Sequence, residues 1–419
     1  MTPENRGPKS PMSTDYEHLA AKLTDQGVDV AAVRARLSEL VVEVPSWGFG
    51  DSGTRFATFL QDGRPRTVLE RLDDAAEVQR LSGASSRVAL HIPWDAVDDY
   101  AQLGREITDR GLTVGTINPN LFQDVDYKLG SITNPDAGIR RKATDHLLEC
   151  GQIAHATGSD ALSLWFADGT NYVGQDDLLA RRHRMREALQ ELHAATGSID
   201  GDPAHPALAL LVEYKLYEPA FYATDLADWG SAALLCREIG ERAQVLVDLG
   251  HHAHGVNIEQ IVAILASYGL LGGFHTNDRR YGDDDLITGS VNPFALFSIF
   301  TELTALPQLP RISIDQGHNV ETKVEAILRS VLNIQDSYAK ALLVDRAALA
   351  EAQAAGDVNR AHGLLTDAFA TDVRPLTASV REAKGAAADP VAALRSGGYP
   401  QRIVDARGRA AGVAGGWGR

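Results

Sequence analysis

Short apolar segments alternate with longer amphipathic ones along this chain, and that alternation limits its fold more than any other feature. The short segments cover residues 41–44, 88–92, 112–117, 161–166, 207–212, 245–249, 270–274 and 311–314. Several are apolar at both positions of the two-residue period, as strands buried on both faces are. Helix-type stretches follow them at 68–81, 96–110, 139–156, 176–195, 228–242, 258–268, 293–306 and 320–342. Such alternation predicts parallel strands with crossover helices. Eight units favour closure into a (β/α)8 TIM barrel over an open doubly wound sheet.

At 419 residues the chain exceeds the ~250 of a bare barrel, so extensions are expected at its ends. Residues 1–15 are polar and proline-containing and read as a disordered leader. Residues 16–342 read as the barrel with an N-terminal helix, whose helical spacing runs from Tyr16 to about Leu40. Residues 343–419 read as a C-terminal helical arm, Ala-rich at first and ending in a flexible AAGVAGGWGR tail. An arm of this kind can wrap a neighbouring subunit.

The hydrophobic content of 44% and charged content of 23% are ordinary for a soluble globular protein. No apolar run approaches the ~20 residues of a membrane span, and the N-terminus has no apolar signal core. Cys150 and Cys236 form no pairing or ligand pattern, so a cytoplasmic protein is predicted. The net charge of −16 argues against a nucleic-acid partner and suits a neutral substrate.

In a barrel of this class the functional groups stand at the C-terminal ends of the strands. Segment five ends VEYK, which puts Glu213 and Lys215 on one side of the chain. Segment six runs into VDLGHHAHG and supplies Asp248 and His251. Segment seven runs into FHTNDRRYGDDDL and supplies His275, Asp283 and Asp285, and segment eight ends SIDQGHN with Asp315. Each alone has a plain explanation: a strand-end Asp usually caps a turn, and an acidic run is usually a solvated loop. Their meeting at four successive strand ends points to a metal site. An oxygen-rich set with a minority of imidazole suits Mn²⁺, Mg²⁺ or Co²⁺ better than zinc. Five gathered carboxylates would be nearly balanced by two divalent ions, whose affinity should fall on acidification. His252 and His254 are expected at the surface or behind the ligands.

The motifs WGFGDSGTRF, HIPWD, GTINPN, LWFADGTNY, VEYK, VDLGHHAHG, GDDDL and SIDQGHN, spread over residues 41–342, carry a resemblance. The chain resembles the broad-specificity bacterial L-rhamnose isomerases of the xylose isomerase-like TIM barrel superfamily. That resemblance implies two divalent ions per subunit, Mn²⁺ first among them, and a homotetramer. One ion would be held by Glu213, Asp248, His275 and Asp315, the other by His251, Asp283 and Asp285, with Asp248 bridging. Lys215 would lie beside the substrate carbonyl and His91 near the sugar ring oxygen, where it assists ring opening. Trp47 and Trp165 would wall off the reacting carbons, and Phe56 would reach a neighbouring subunit's pocket. Lys215, Asp315, His91 and His251 are the catalytic set so implied.

The activity implied is L-rhamnose/L-rhamnulose interconversion with relaxed specificity, D-allose/D-psicose included, by a metal-assisted hydride shift between C1 and C2. An enediol route with Asp315 as base is the alternative chemistry. The alternative functions are a ketose 3-epimerase on the same barrel type and a divalent-metal hydrolase or nuclease. The Asp-x-Asp pair argues against the epimerase. VPSWGFGD in place of a His-x-His after the first strand argues against many amidohydrolases.

Overall fold

The computed structural model describes residues 11–53, 57–198, 206–218 and 222–414. The eight segments are strands: β1 (Val42–Pro45), β2 (Arg87–Ile92), β3 (Thr113–Pro119), β4 (Ala161–Leu164), β5 (Ala209–Glu213), β6 (Ala243–Asp248), β7 (Leu271–Thr276) and β8 (Arg311–Ile314). All are parallel, and β1 pairs with β8 (Val42 with Ile312) as well as with β2 (Val44 with Val88), closing the barrel. Val42, Val44, Val88, Leu90, Leu162, Val212 and Val247 are almost wholly buried, which is why the strands read as apolar runs.

Away from the strands' C-terminal ends the barrel interior is partly polar. Glu43, 3% exposed, accepts hydrogen bonds from Thr116 Oγ1 (2.7 Å) and Ser313 Oγ (3.1 Å), with Arg87 Nε at 3.7 Å. Gly115 makes room for this carboxylate, because a Cβ there would lie 1.4 Å from Glu43 Oε2.

The outer helices begin where side-chain acceptors satisfy the first free N–H groups. Asp136 caps helix Ala137–Thr157 by accepting from Gly138 N (2.7 Å) and Ile139 N (3.1 Å). Asp136→Ala is expected to lower the unfolding free energy by about 1 kcal/mol, read as a shifted urea midpoint at unchanged slope.

The chain ends differ in detail from the pattern. The N-terminal stretch forms two helices, Pro11–Asp25 and Val30–Glu39, parted at Gly27, whose φ of 86° ends the first. The first helix starts at Pro11, inside the stretch read as leader. Proline is at home there because a first-turn N–H would lack a helical partner anyway. Beyond helix Lys323–Leu342 come five more, at Arg346–Ala354, Val358–Ala370, Arg374–Ala383, Pro390–Ser396 and Tyr399–Arg407. They fold back onto their own barrel. Arg381 donates to Gln335 Oε1 (3.1 Å), and Arg407 is paired with buried Asp74 at 2.8 Å. Val413–Ala414 then pairs antiparallel with Thr58–Phe59, which pairs with Ser52–Gly53 in the segment after β1. No described helix is long and apolar enough to cross a membrane.

Candidate metal centre

Period-two geometry and strand order bring the acidic and imidazole groups to one end of the barrel. Glu213 ends β5, Asp248 ends β6, His275 lies within β7, and Asp315 follows β8. His275 Nδ1 is 3.3 Å from Glu213 Oε2, 3.7 Å from Asp315 Oδ2 and 3.9 Å from Asp248 Oδ2. A second group is built from Asp248, His251 and Asp283. His251 Nε2 is 3.2 Å from Asp283 Oδ1 and 4.0 Å from Asp248 Oδ1. Within each group all ligand atoms lie within 4.8 Å of one another, and Asp248 belongs to both.

These residues fit divalent cations. His275 Nδ1 and Asp283 Oδ1 are buried and make no well-aligned hydrogen bond, which leaves both open to an ion. Atoms coordinating one ion at ~2.1 Å stand roughly 3–4 Å apart, which is the spacing found. His251 directs Nε2 inward because its Nδ1 is 3.0 Å from the Tyr214 carbonyl and donates to it.

Among the protein charges alone the cluster is strongly polarised. Burial, reinforced by Glu213, Asp283 and Asp315 and opposed by His251, pushes the Asp248 carboxyl up to about 7. Burial also opposes ionisation of Glu213, but His275 and His251 outweigh it and hold that group down at about 2. Burial would lower His275, yet Glu213, Asp315 and Asp248 raise it to about 9. Imidazolium is thus the counter-charge that a metal ion would replace, with release of protons.

Every residue of the two groups except Asp248 lines a cavity of about 230 Å³ whose other walls are largely aromatic. Trp47 Nε1 donates to Asp315 Oδ1 at 2.9 Å. His91 stacks on Trp94 (3.7 Å between centroids, 17° between planes) and meets Trp47 and Phe122 edge-on. Trp165 packs against Phe122 at 4.9 Å, with the Lys215 ammonium 4.9 Å from its ring centre. Lys215 Nζ also pairs with Asp283 Oδ2 (2.7 Å) and Glu218 Oε2 (2.8 Å). Burial disfavours its charge, but Asp283 and Glu218 more than compensate and raise its pKa, so it stays an ammonium ion. Burial, with His146 and Arg71 nearby, lowers His91 to about 3, so its imidazole is neutral.

A probable sugar isomerase of Rhizobium meliloti (strain 1021) is 41% identical to this chain over 424 residues, covering 99% of the chain and 97% of the relative. The chain belongs to this family of sugar isomerases. A probable sugar isomerase of Mesorhizobium japonicum is likewise 41% identical, covering 98% of the chain and 96% of the relative. No protein-family model matches. The barrel is similar in fold to an L-ribulose 3-epimerase structure (TM-score 0.54, 16% identity, 73% of this chain and 98% of that one). It is also similar to D-psicose 3-epimerase of Clostridium cellulolyticum H10 with D-tagatose (TM-score 0.50, 11% identity, 73% and 99%).

Of the site residues expected from sequence, this sugar isomerase brings Glu213, Asp248, His251, His275, Asp283 and Asp315 into the two groups. Trp47, His91, Trp165 and Lys215 line the cavity above them, as does Asp285, which joins neither group. Asp285 has φ 50°, the one positive value at a non-glycine among the described residues, a conformation that aspartate tolerates. The Asp284 carboxylate turns away and accepts from the N–H groups of Arg280 and Tyr281, bracing the loop. His252 is buried and bonded to Tyr214 Oη at 2.6 Å, whereas His254 is at the surface. Phe56 lies outside the described residues. Sequence reading gave no role to Trp94, Asn118, Phe122, Ser163 and Gln316, which also line the cavity. Trp94, Asn118 and Gln316 fall in HIPWD, GTINPN and SIDQGHN near strand ends, Phe122 lies just past GTINPN, and Ser163 is inside β4.

Proposed function

We propose that this sugar isomerase is a metal-dependent aldose–ketose isomerase acting on L-rhamnose/L-rhamnulose, with relaxed specificity toward sugars such as D-allose/D-psicose. The observation that carries the reading is the pair of ligand groups sharing Asp248 at the floor of an aromatic-walled cavity. Glu213, Asp248, His275 and Asp315 would hold one ion; His251, Asp283 and Asp248 would hold the other, with Asp285 alongside. Bound there, divalent ions, Mn²⁺ foremost for this oxygen-rich set, supply Lewis acidity toward the sugar's oxygens worth several kcal/mol.

The side chains supply the rest. Lys215 presents a fixed ammonium to the carbonyl oxygen, where negative charge grows as hydrogen moves between C1 and C2. His91, neutral and lining the cavity, offers a ring nitrogen for the proton exchanged as the sugar ring opens. Trp47, Trp94, Phe122 and Trp165 keep water from the reacting carbons, which favours direct transfer between them over exchange with solvent. The resemblance also implies a homotetramer, which light scattering measures directly.

The test is a panel of aldoses and ketoses assayed after chelation and again with Mn²⁺, Mg²⁺ or Co²⁺ returned. Aldose should form from ketose only in the metal-loaded samples, with little deuterium at the migrating position in heavy water. Formation of a C3 epimer without aldose would identify a 3-epimerase instead.

A further inference from the structure

Asp248 is wholly buried and is the one carboxylate common to both ligand groups, so its orientation decides whether each group keeps an oxygen. Oδ2 faces His275 (3.9 Å) and Oδ1 faces His251 (4.0 Å). Two further donors hold it this way. Gly250 N donates to Oδ1 at 2.6 Å, and Asn277 Nδ2 reaches both Oδ1 (3.0 Å) and Oδ2 (3.2 Å). Asn277 stands two residues after His275, so the end of β7 places imidazole and amide on the same side.

The amide itself is unusual. Asn277 is 2% exposed, and its Oδ1 is buried without a hydrogen-bond partner. Turning the amide over would set that oxygen against a carboxylate, so the donor-inward orientation is the one electrostatics allows. Leaving a buried acceptor unpaired is unfavourable, and what offsets it is the grip on Asp248. Gly250 gives the space: a Cβ there would lie 3.1 Å from Asn277 Oδ1, 3.2 Å from Asp248 Oδ1 and 3.0 Å from Asp283 Oδ1.

We infer that Asn277 is a positioning residue that holds the Asp248 carboxylate across both ligand groups, an inference that rests on the two-ion reading above. Asn277 touches neither sugar nor ion; it acts through Asp248.

The test titrates Mn²⁺ into chelator-stripped full-length protein and reads both affinity and the electron paramagnetic resonance spectrum. A shared carboxylate couples two Mn²⁺ ions magnetically, and the parent should show that coupled signal. In Asn277→Ala the dissociation constants should rise about 10–100-fold and the spectrum should become that of separate ions. Asn277→Leu, close in size and with no polar hydrogen to donate, should lose the coupled signal too, and it serves if the alanine variant does not fold. A parent with no coupled pair would overturn the two-ion reading and the inference with it. A coupled parent whose variants keep both signal and affinity would overturn the inference alone.

Discussion

Asp248→Asn is expected to remove turnover almost completely while leaving the metal-free protein as stable as its parent, or more so. The loss follows from position: Asp248 is shared by the two ligand groups, so one neutral amide weakens both. Several kcal/mol of Lewis-acid stabilisation vanish, which corresponds to about a thousandfold or more in kcat. Stability moves the other way because the parent carboxylate is fully buried and crowded by Glu213, Asp283 and Asp315. An amide of the same shape removes that repulsion and desolvation, and Asn277 can turn its own Oδ1 to meet the new N–H₂. In chelator the variant should gain on the order of 1–3 kcal/mol. With Mn²⁺ added, the parent's melting temperature should rise and the variant's should barely move. A variant that keeps a tenth of parental kcat would end the proposal that both groups serve the reaction.

Lys215→Met is expected to lower kcat by about 100- to 1000-fold with a much smaller change in KM, because its charge matters most when the carbonyl oxygen becomes anionic. Methionine keeps an unbranched apolar stem and removes the ammonium that stands 4.9 Å from the Trp165 ring centre. The loss also removes one of the two short ion-pair contacts of Asp283, the other being with His251, so the variant should depend more on bound metal for its stability. Steady-state kinetics at saturating Mn²⁺ isolate the chemical effect. A kcat within tenfold of the parent would remove Lys215 from the mechanism.

The barrel was legible because strands buried on both faces have to be written as apolar runs, and eight such runs leave few other ways to pack. Glu213, Asp248, His275 and Asp315 were legible for a related reason: strand ends point at one rim, and carboxylates seldom gather there without a counter-charge. Trp94 and Phe122 were not, since they stand in loops where no periodicity tells a cavity wall from a surface aromatic. Asn277 sat in a quoted motif, yet its role depends on a partner 29 residues earlier in the sequence, and no local spacing encodes that contact. The break at Gly27 and the return of residues 413–414 to the segment after β1 escaped for similar reasons. A helical period continues across a single glycine, and a two-residue strand pairing over so long a loop leaves no local trace.

That returning strand bears on how the protein is handled in the laboratory. Backbone hydrogen bonds join residues 413–414 to Thr58–Phe59, and Ser52, in the strand next to these, donates to the His318 carbonyl just past Asp315. A purification tag or fluorescent fusion joined at Arg419 would therefore start a few residues from a small sheet braced against the β8 exit. Kinetic constants meant to describe the native enzyme are better measured on protein with nothing attached beside that sheet.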